Sequence, residues 1–205
     1  MKAKNRVVVV GGFHEIVELA EELGFEVTGI VDLKKPDCEV CARIPYLGDD
    51  EWLCTQGVSL GIRSVIVSPD LPQVRESLSE CYLAAGFELA TVCHPPVSPS
   101  SHLSPGVVVQ RLAHISSGCR LATGVRVNIR ALVMHDVQIG PFTTIAPAAV
   151  LLGRVSLGRR VYVGANATIL PGLEIGDDAI IGAGAVVTKN VGKGETVVGV
   201  PARNI

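Results

Sequence analysis

Aromatic side chains are scarce in this 205-residue chain: one Trp, three Tyr and four Phe, 4% of the total. A core built on ring packing is excluded, and the 48% hydrophobic content must come mainly from Val, Ile, Leu and Ala. Neither sign of charge is in excess, with 18 Lys and Arg against 20 Asp and Glu and a net charge of −2. That leaves no basic footprint for nucleic acid or an anionic membrane surface. No apolar run approaches the ~18 residues of a membrane span. The basic start Met1-Lys2-Ala3-Lys4-Asn5-Arg6 precedes only four apolar residues before Gly11-Gly12, so Val7–Val10 reads as a buried first strand and not as a secretory signal. Cysteine is present but unorganised: Cys38, Cys41, Cys54, Cys81, Cys93 and Cys119 include one CxxC, Cys38-Glu39-Val40-Cys41. A zinc site needs a second pair nearby, and Cys54 with His14 is a poor substitute. Structural thiols are the default, with a redox pair as the alternative. Reduced thiols place the chain in the cytoplasm, and no metal is expected.

What the chain does have is a six-residue beat. From Val97 to Val187 every sixth residue is Ile, Leu or Val, sixteen positions without an insertion. A small or aliphatic residue stands four places after almost every one, as at Ala113, Val125, Ala131, Val137, Ala149 and Val161. A strict hexad fits neither an α-helix nor an open sheet. It fits a parallel β-helix in which each turn stacks the same side chain on its copy. At three hexads per turn the run makes about five coils, roughly 25 Å tall at the spacing of paired strands. The aliphatic residue and the one four places on point inward. The glycine that often follows the aliphatic residue (Gly140, Gly158, Gly164, Gly176, Gly182) is expected to turn a corner with φ > 0.

The first ninety residues have another grammar. Val7–Val10, then Gly11-Gly12, lead into a helical pattern with Ile16, Leu19, Ala20 and Leu23 on one face and Gly24 as its stop. Strands are expected at 26–31, 65–67 and 87–92, with a helix over 72–85. Strand and helix alternate with glycine after the first strand, the pattern of a small Rossmann-like α/β domain with a parallel sheet. The turn Gly11-Gly12-Phe13-His14 falls well short of GxGxxG, so it reads equally as a phosphate-binding turn or a plain strand–helix connection. His94-Pro95-Pro96-Val97-Ser98-Pro99 interrupts both periodicities and sets the expected boundary, residues 1–93 against 94–205.

Of five histidines, His135 stands apart. In Val133-Met134-His135-Asp136-Val137-Gln138 the outward third and fourth places of the hexad hold His-Asp, where neighbouring coils carry Gly, Arg, Asn or Pro-Phe. An imidazole is the natural general base near neutral pH, and an adjacent carboxylate raises its basicity and fixes its tautomer. An ordinary surface pair is the competing reading. His102 and His114 have no adjacent carboxylate and read as surface residues.

Taken together these motifs resemble one family end to end: the bacterial nucleotide-sugar N-acetyltransferases and sialic acid O-acetyltransferases of the NeuD-like group, hexapeptide-repeat acyltransferases. The resemblance rests on Val7–His14, Gly29-Ile30-Val31-Asp32, Pro45-Tyr46-Leu47-Gly48-Asp49-Asp50, Gly86-Phe87 with His94-Pro95, Val133 to Gly140, and the ending Val198-Gly199-Val200-Pro201-Ala202-Arg203. It implies a left-handed β-helix with a C-terminal extension, a handedness the repeat alone does not show. It implies His135 as the base, tuned by Asp136, and a cyclic homotrimer with acetyl-CoA in a groove between adjacent β-helices. The acetyl-CoA positions would be Thr144, Gly164, Ala165, Gly182, Ala183 and Lys189, largely through backbone. The N-terminal domain would hold a nucleotide sugar, a UDP-4-amino-sugar in kind, at Gly11, Gly12, Phe13, His14 and Asp32. Two departures stand out: the Gly11-Gly12 turn is one glycine short, and Thr144 replaces a frequent second histidine.

The expected activity is acetyl transfer from acetyl-CoA to a sugar amine, with a backbone N–H near Thr144 as oxyanion donor. O-acetylation of a sugar hydroxyl is the second enzymatic reading. A β-helix that binds or scaffolds without catalysis is the non-enzymatic one.

Overall fold

The computed structural model describes residues 5–59, 61–94 and 97–205. The first four residues of the basic start and Pro95-Pro96 of the joint lie outside these. The chain divides into two compact units, Met1–Asp70 with Val74–Val92, and Leu71–Gln73 with Cys93–Ile205.

In the first unit, β1 (Arg6–Val10), α1 (His14–Glu22), β2 (Glu26–Val31), α2 (Glu39–Ala42), β3 (Tyr46–Gly48), α3 (Asp50–Trp52), β4 (Ser64–Val67), α4 (Pro72–Ala84) and β5 (Glu88–Leu89) follow one another. The five strands form one parallel sheet in the order β3-β2-β1-β4-β5. β1 lies at its centre, which is why Val7 to Val10 are all buried: both faces of a central parallel strand are covered. α1 buries Ile16, Val17, Leu19 and Ala20 and stops at Gly24, whose φ of +85° allows Phe25 N–H to reach back to the Ala20 carbonyl at 3.0 Å. The expected strand over 87–92 is two short strands, Glu88–Leu89 and Val92–Cys93. β3 has no alternation to betray it, and the sequence pattern misses it.

In the second unit each hexad contributes a two-residue strand, and strands pair in parallel eighteen residues apart: Val127 with Ile145, Val133 with Leu151, Leu121 with Ile139. Three parallel sheets run along the coil, so a turn is three hexads. Both inward rows are buried from Val107 to Val191, with only Leu173 among them partly exposed. Among the described residues the outer end of the coil is closed by Thr196–Val198, which pairs antiparallel with Arg203–Asn204 and brings Val197 and Ala202 against the core. A solenoid needs such a cap, because its last coil otherwise exposes the apolar interior.

The corners differ from the sequence reading. Positive φ, between 55° and 75°, occurs at the fourth place of every hexad from Gly106 to Gly184, and nine of these residues are not glycine. The glycines after the aliphatic residue have no positive φ. Their lack of a side chain serves inter-coil packing instead. A Cβ at Gly140 would lie 2.4 Å from the Gly158 carbonyl carbon, and one at Gly164 2.6 Å from the Ala183 nitrogen. The third place donates nothing to the ladder, which is where the repeat accepts Pro105, Pro141, Pro147 and Pro171.

Candidate functional site

His135 and Asp136 occupy the third and fourth places of their hexad, on the edge that follows the strand Leu132–Val133. Their backbone is held from both sides: Asp136 N–H donates to Ser117 O at 2.9 Å in one coil, and His135 O accepts from Arg154 N–H at 3.0 Å in the next. Asp136 has a φ of +62°, a left-handed conformation that Asp tolerates better than most residues. His135 Nδ1 lies 2.9 Å from Asp136 Oδ2. A carboxylate only accepts, so Nδ1 carries a proton, and in the neutral ring Nε2 presents a lone pair. Both side chains remain accessible, 44% and 61% exposed. The ring lies over the next coil, where a Cβ at Gly153 would come within 2.5 Å of Nε2. The structure therefore joins the two residues singled out for acid–base chemistry and leaves both side chains partly accessible. His102 and His114 are exposed strand residues, His102 on another sheet of the coil and His114 paired with Leu132 on the sheet that leads into His135.

Of the acetyl-CoA positions, Lys189 shares the edge of His135 and the others fall elsewhere. Ala165 and Ala183 stack eighteen residues apart on the edge that follows the sheet containing Tyr162–Val163 and Ile180–Ile181. His135, Gly153 and Lys189 fall on the edge that follows the neighbouring sheet of Leu132–Val133 and Val186–Val187. One prism thus puts the imidazole and the two alanines on different edges. Gly164 and Gly182 spend their N–H groups on the ladder, to Ile181 O and Val197 O, both at 2.8 Å. Lys189 is exposed and lines a cavity of about 250 Å³ with Asn190, Glu195 and Arg203. Thr144 is fully buried, and its N–H donates to Val161 O at 2.9 Å. A ladder N–H cannot also serve an oxyanion, so the donor expected near Thr144 is not its own backbone.

In the first unit, Gly11, Gly12, Phe13, His14 and Asp32 gather at the C-terminal ends of β1 and β2. Gly11 has a φ of +75° and donates to Val31 O at 2.7 Å. Gly12 is required by proximity, since a Cβ there would meet Pro36 Cγ at 2.1 Å. Phe13 and His14 are exposed, their ring centroids 5.9 Å apart. Asp32 is anchored by three bonds: its Oδ1 accepts from Leu33 N–H at 2.7 Å, its carbonyl from Tyr46 Oη at 3.0 Å, and its N–H donates to Gly48 O at 3.1 Å. The sequence reading misses Pro36, which closes on Gly12, and Ser68, whose hydroxyl donates to the Gly11 carbonyl. Only Ser68 carried a signal, its place directly after β4.

The cysteine pair resolves into local structure. Cys38 is the N-cap of α2, and its sulfur accepts from Cys41 N–H at 3.1 Å, the bond a capping Ser or Asp makes. Burial, then the neighbouring Cys38, pushes the Cys41 thiol up to about 12, away from thiolate chemistry. All six cysteines are free thiols. Among the described residues no group of three or more His, Cys, Asp or Glu side chains is placed to hold a metal ion, and no helix is long and apolar enough to cross a membrane.

Comparison with known proteins follows the same outline. Residues 154–189 match the family described as bacterial transferase hexapeptide (six repeats). A GDP-perosamine N-acetyltransferase of Escherichia coli O157:H7 is 38% identical over 79 residues, which is 38% of this chain and 36% of that relative's length. A histidine-to-alanine variant of the GDP-perosamine N-acetyltransferase from Caulobacter crescentus, solved with CoA and GDP-perosamine, superposes with a TM-score of 0.92 at 30% identity over 99% of this chain and 97% of that one. The acetyltransferase domain of PglB from Neisseria gonorrhoeae FA1090, solved with acetyl coenzyme A, gives 0.88 at 31% identity over 99% and 100%.

Proposed function

Because the chain belongs to the bacterial sugar N-acetyltransferases of the hexapeptide-repeat, left-handed β-helix type, we propose that it moves the acetyl group of acetyl-CoA to the amino group of a nucleotide-linked amino sugar, with His135 as general base and Asp136 as its partner. One observation carries this reading: the accessible imidazole whose Nδ1 is held 2.9 Å from the Asp136 carboxylate. The sugar reacts as its free amine, the ammonium having first given one proton to solvent. As that amine adds to the thioester carbonyl its nitrogen becomes cationic, and His135 Nε2 takes a proton from it. The Asp136 carboxylate stabilises the imidazolium that forms. The tetrahedral adduct then collapses, the carbon–sulfur bond breaks, and the departing thiolate of CoA recovers a proton from the imidazolium. O-acetylation of a sugar hydroxyl uses the same base, and the N-acetyltransferase relatives favour the amine.

The acceptor is assigned to the first unit. Its strand order and the glycine turn at the end of its central strand support a Rossmann-like nucleotide site, with Gly11, Gly12, Phe13, His14 and Asp32 in contact with the nucleotide. The expectation of UDP yields first place to GDP, because similar chains are named for a GDP sugar. Acetyl-CoA is assigned to Gly164, Ala165, Gly182, Ala183 and Lys189. His135 sits on one edge of the prism and Ala165 and Ala183 on another. A site that uses both draws them from two copies, and closed threefold symmetry completes three such sites. That incompleteness supports the homotrimer. Six free thiols suit a reducing compartment, the cytoplasm.

The test is turnover of acetyl-CoA with GDP- and UDP-linked amino sugars. Release of free CoA only with an amino sugar supports the reading. Equal turnover with the corresponding hydroxy sugar moves it to O-acetylation, and no turnover with any acceptor removes it.

A further inference from the structure

Two glycines frame the His135–Asp136 pair. A Cβ at Gly153, in the coil that follows, would lie 2.5 Å from His135 Nε2, 2.7 Å from Cε1 and 3.2 Å from Cδ2. A Cβ at Gly118, in the coil that precedes, would lie 2.5 Å from Asp136 Oδ1. These are eighteen-residue neighbours: 118 stacks under 136, and 153 over 135, in the register that pairs Leu132 with Val150 and His114. The imidazole and the carboxylate thus occupy volume that a side chain would fill in the adjacent coils.

The repeat itself does not ask for glycine at 153. Gly153 holds the third place of its hexad and has no positive φ. The same place in other coils holds Ser117, Thr123, Ala165 and Ala183. Alanine therefore suits the coil backbone there, and the three nearest atoms its methyl would meet all belong to the His135 ring. Gly118 is the harder case, since its φ of +71° would strain alanine even without a neighbour. Gly172 supplies the matched reference: the same φ of +71°, and nothing within 4 Å of where its Cβ would stand.

We propose that Gly153 and Gly118 are positioning residues for acetyl transfer, keeping open the space in which the His135 ring lies over one coil and bonds a carboxylate that lies over the other. The assignment rests on His135 being the general base. A ring displaced by the ångström or so that a methyl requires no longer aims Nε2 at the amine. Misplacement on that scale costs on the order of 10²-fold in rate.

The experiment is a double-variant cycle on the full chain. Gly153→Ala is expected to lower kcat by roughly 10²-fold, with KM for acetyl-CoA within about twofold and Tm little changed. In a His135→Ala background the same Gly153→Ala change should cost nothing further, because it acts through the ring that is already gone. Gly118→Ala should lose activity well beyond Gly172→Ala, although both pay the same backbone strain. Gly153→Ala with full kcat overturns the proposal. So does a Gly153 effect that persists unchanged in the His135→Ala background. If His135→Ala itself stays active, the base assignment fails, and the two failures are thereby told apart.

Discussion

The two units solve the burial of apolar surface in different ways. In the β-helix each residue's surroundings are set by its place in the hexad and repeated eighteen residues away, so Val127, Ile145 and Val163 stack as near-copies. In the α/β unit contacts are made singly: Pro36 meets Gly12, Ser68 bonds Gly11 and Tyr46 bonds Asp32. The repeat gives a stiff rod on which a departure from pattern is conspicuous, and His135-Asp136 is such a departure. The singular unit gives a sheet edge whose parts can each be changed without propagating along a stack. Under the proposed function this contrast is a division of labour, chemistry on the rod and acceptor choice at the sheet edge.

The largest effects should come from the cores, and they should differ in reach. Ile145→Ala and Ile16→Ala each delete a fully buried side chain, and each is expected to cost about 2–5 kcal/mol. Hydrogen exchange should show the Ile145 loss confined to neighbouring coils, since stability in a solenoid is a nearest-neighbour sum. The Ile16 loss should accelerate exchange throughout the five-stranded sheet. Uniform acceleration in both variants would erase the distinction drawn above.

Next in size is Asp32→Ala. It removes the side chain that accepts from Leu33 N–H at the end of β2. Calorimetry should give roughly tenfold weaker nucleotide-sugar binding, about 1.4 kcal/mol, with acetyl-CoA binding unmoved. The reverse pattern would exchange the roles of the two units.

A smaller effect has the opposite sign. Ala148 sits in the left-handed region at φ 58°. Gly adopts that conformation without the penalty of ~1–2 kcal/mol that an L side chain meets, less the chain entropy glycine loses. Ala148→Gly should therefore raise Tm, whereas Gly172→Ala should lower it.

The smallest belongs to a surface pair. Arg160 Nε and Nη2 bond the Asp178 carboxylate at 2.6 and 2.7 Å, and those bonds, partly offset by burial, hold its carboxyl below the ordinary range. A depressed folded value means the stabilisation is present above the ordinary Asp value of 3.8 and is lost as pH falls through the lower one. Arg160→Ala should lower stability by less than about 1 kcal/mol at neutral pH, and the gap between the variants should close in acid. A gap that widens in acid would refute the assignment.

Legibility followed the same division. The hexad beat announced the β-helix, its inward rows and the outward position of His135, because one rule is restated sixteen times. The same rule misled at the corners. Gly140 and its equivalents looked like turn residues, yet a strand that passes under the next coil also needs glycine, and one-dimensional spacing does not separate a torsion from a clash. Gly118 and Gly153 become visible only once three hexads are known to make a turn, which places them against 136 and 135. In the α/β unit the local strand and helix patterns were readable at β1, β2 and α1. The closure of Pro36 on Gly12 was not, because it depends on a loop path that no periodicity encodes. That Thr144's own N–H is taken up by the ladder was hidden for a related reason: such pairing is a property of the stacked coil.

The central claim is that His135 is the base for acetyl transfer. It is tested most directly by the steady-state rates of the wild type, Asp136→Asn and His135→Ala with acetyl-CoA and a GDP-linked amino sugar, beside the acetyl-CoA affinity of each. The account predicts a fall in kcat/KM of roughly 10²–10⁴-fold for His135→Ala, a smaller fall for Asp136→Asn, and nearly unchanged acetyl-CoA affinity. A loss of less than about tenfold in His135→Ala, or a loss explained by weaker acetyl-CoA binding, would contradict it.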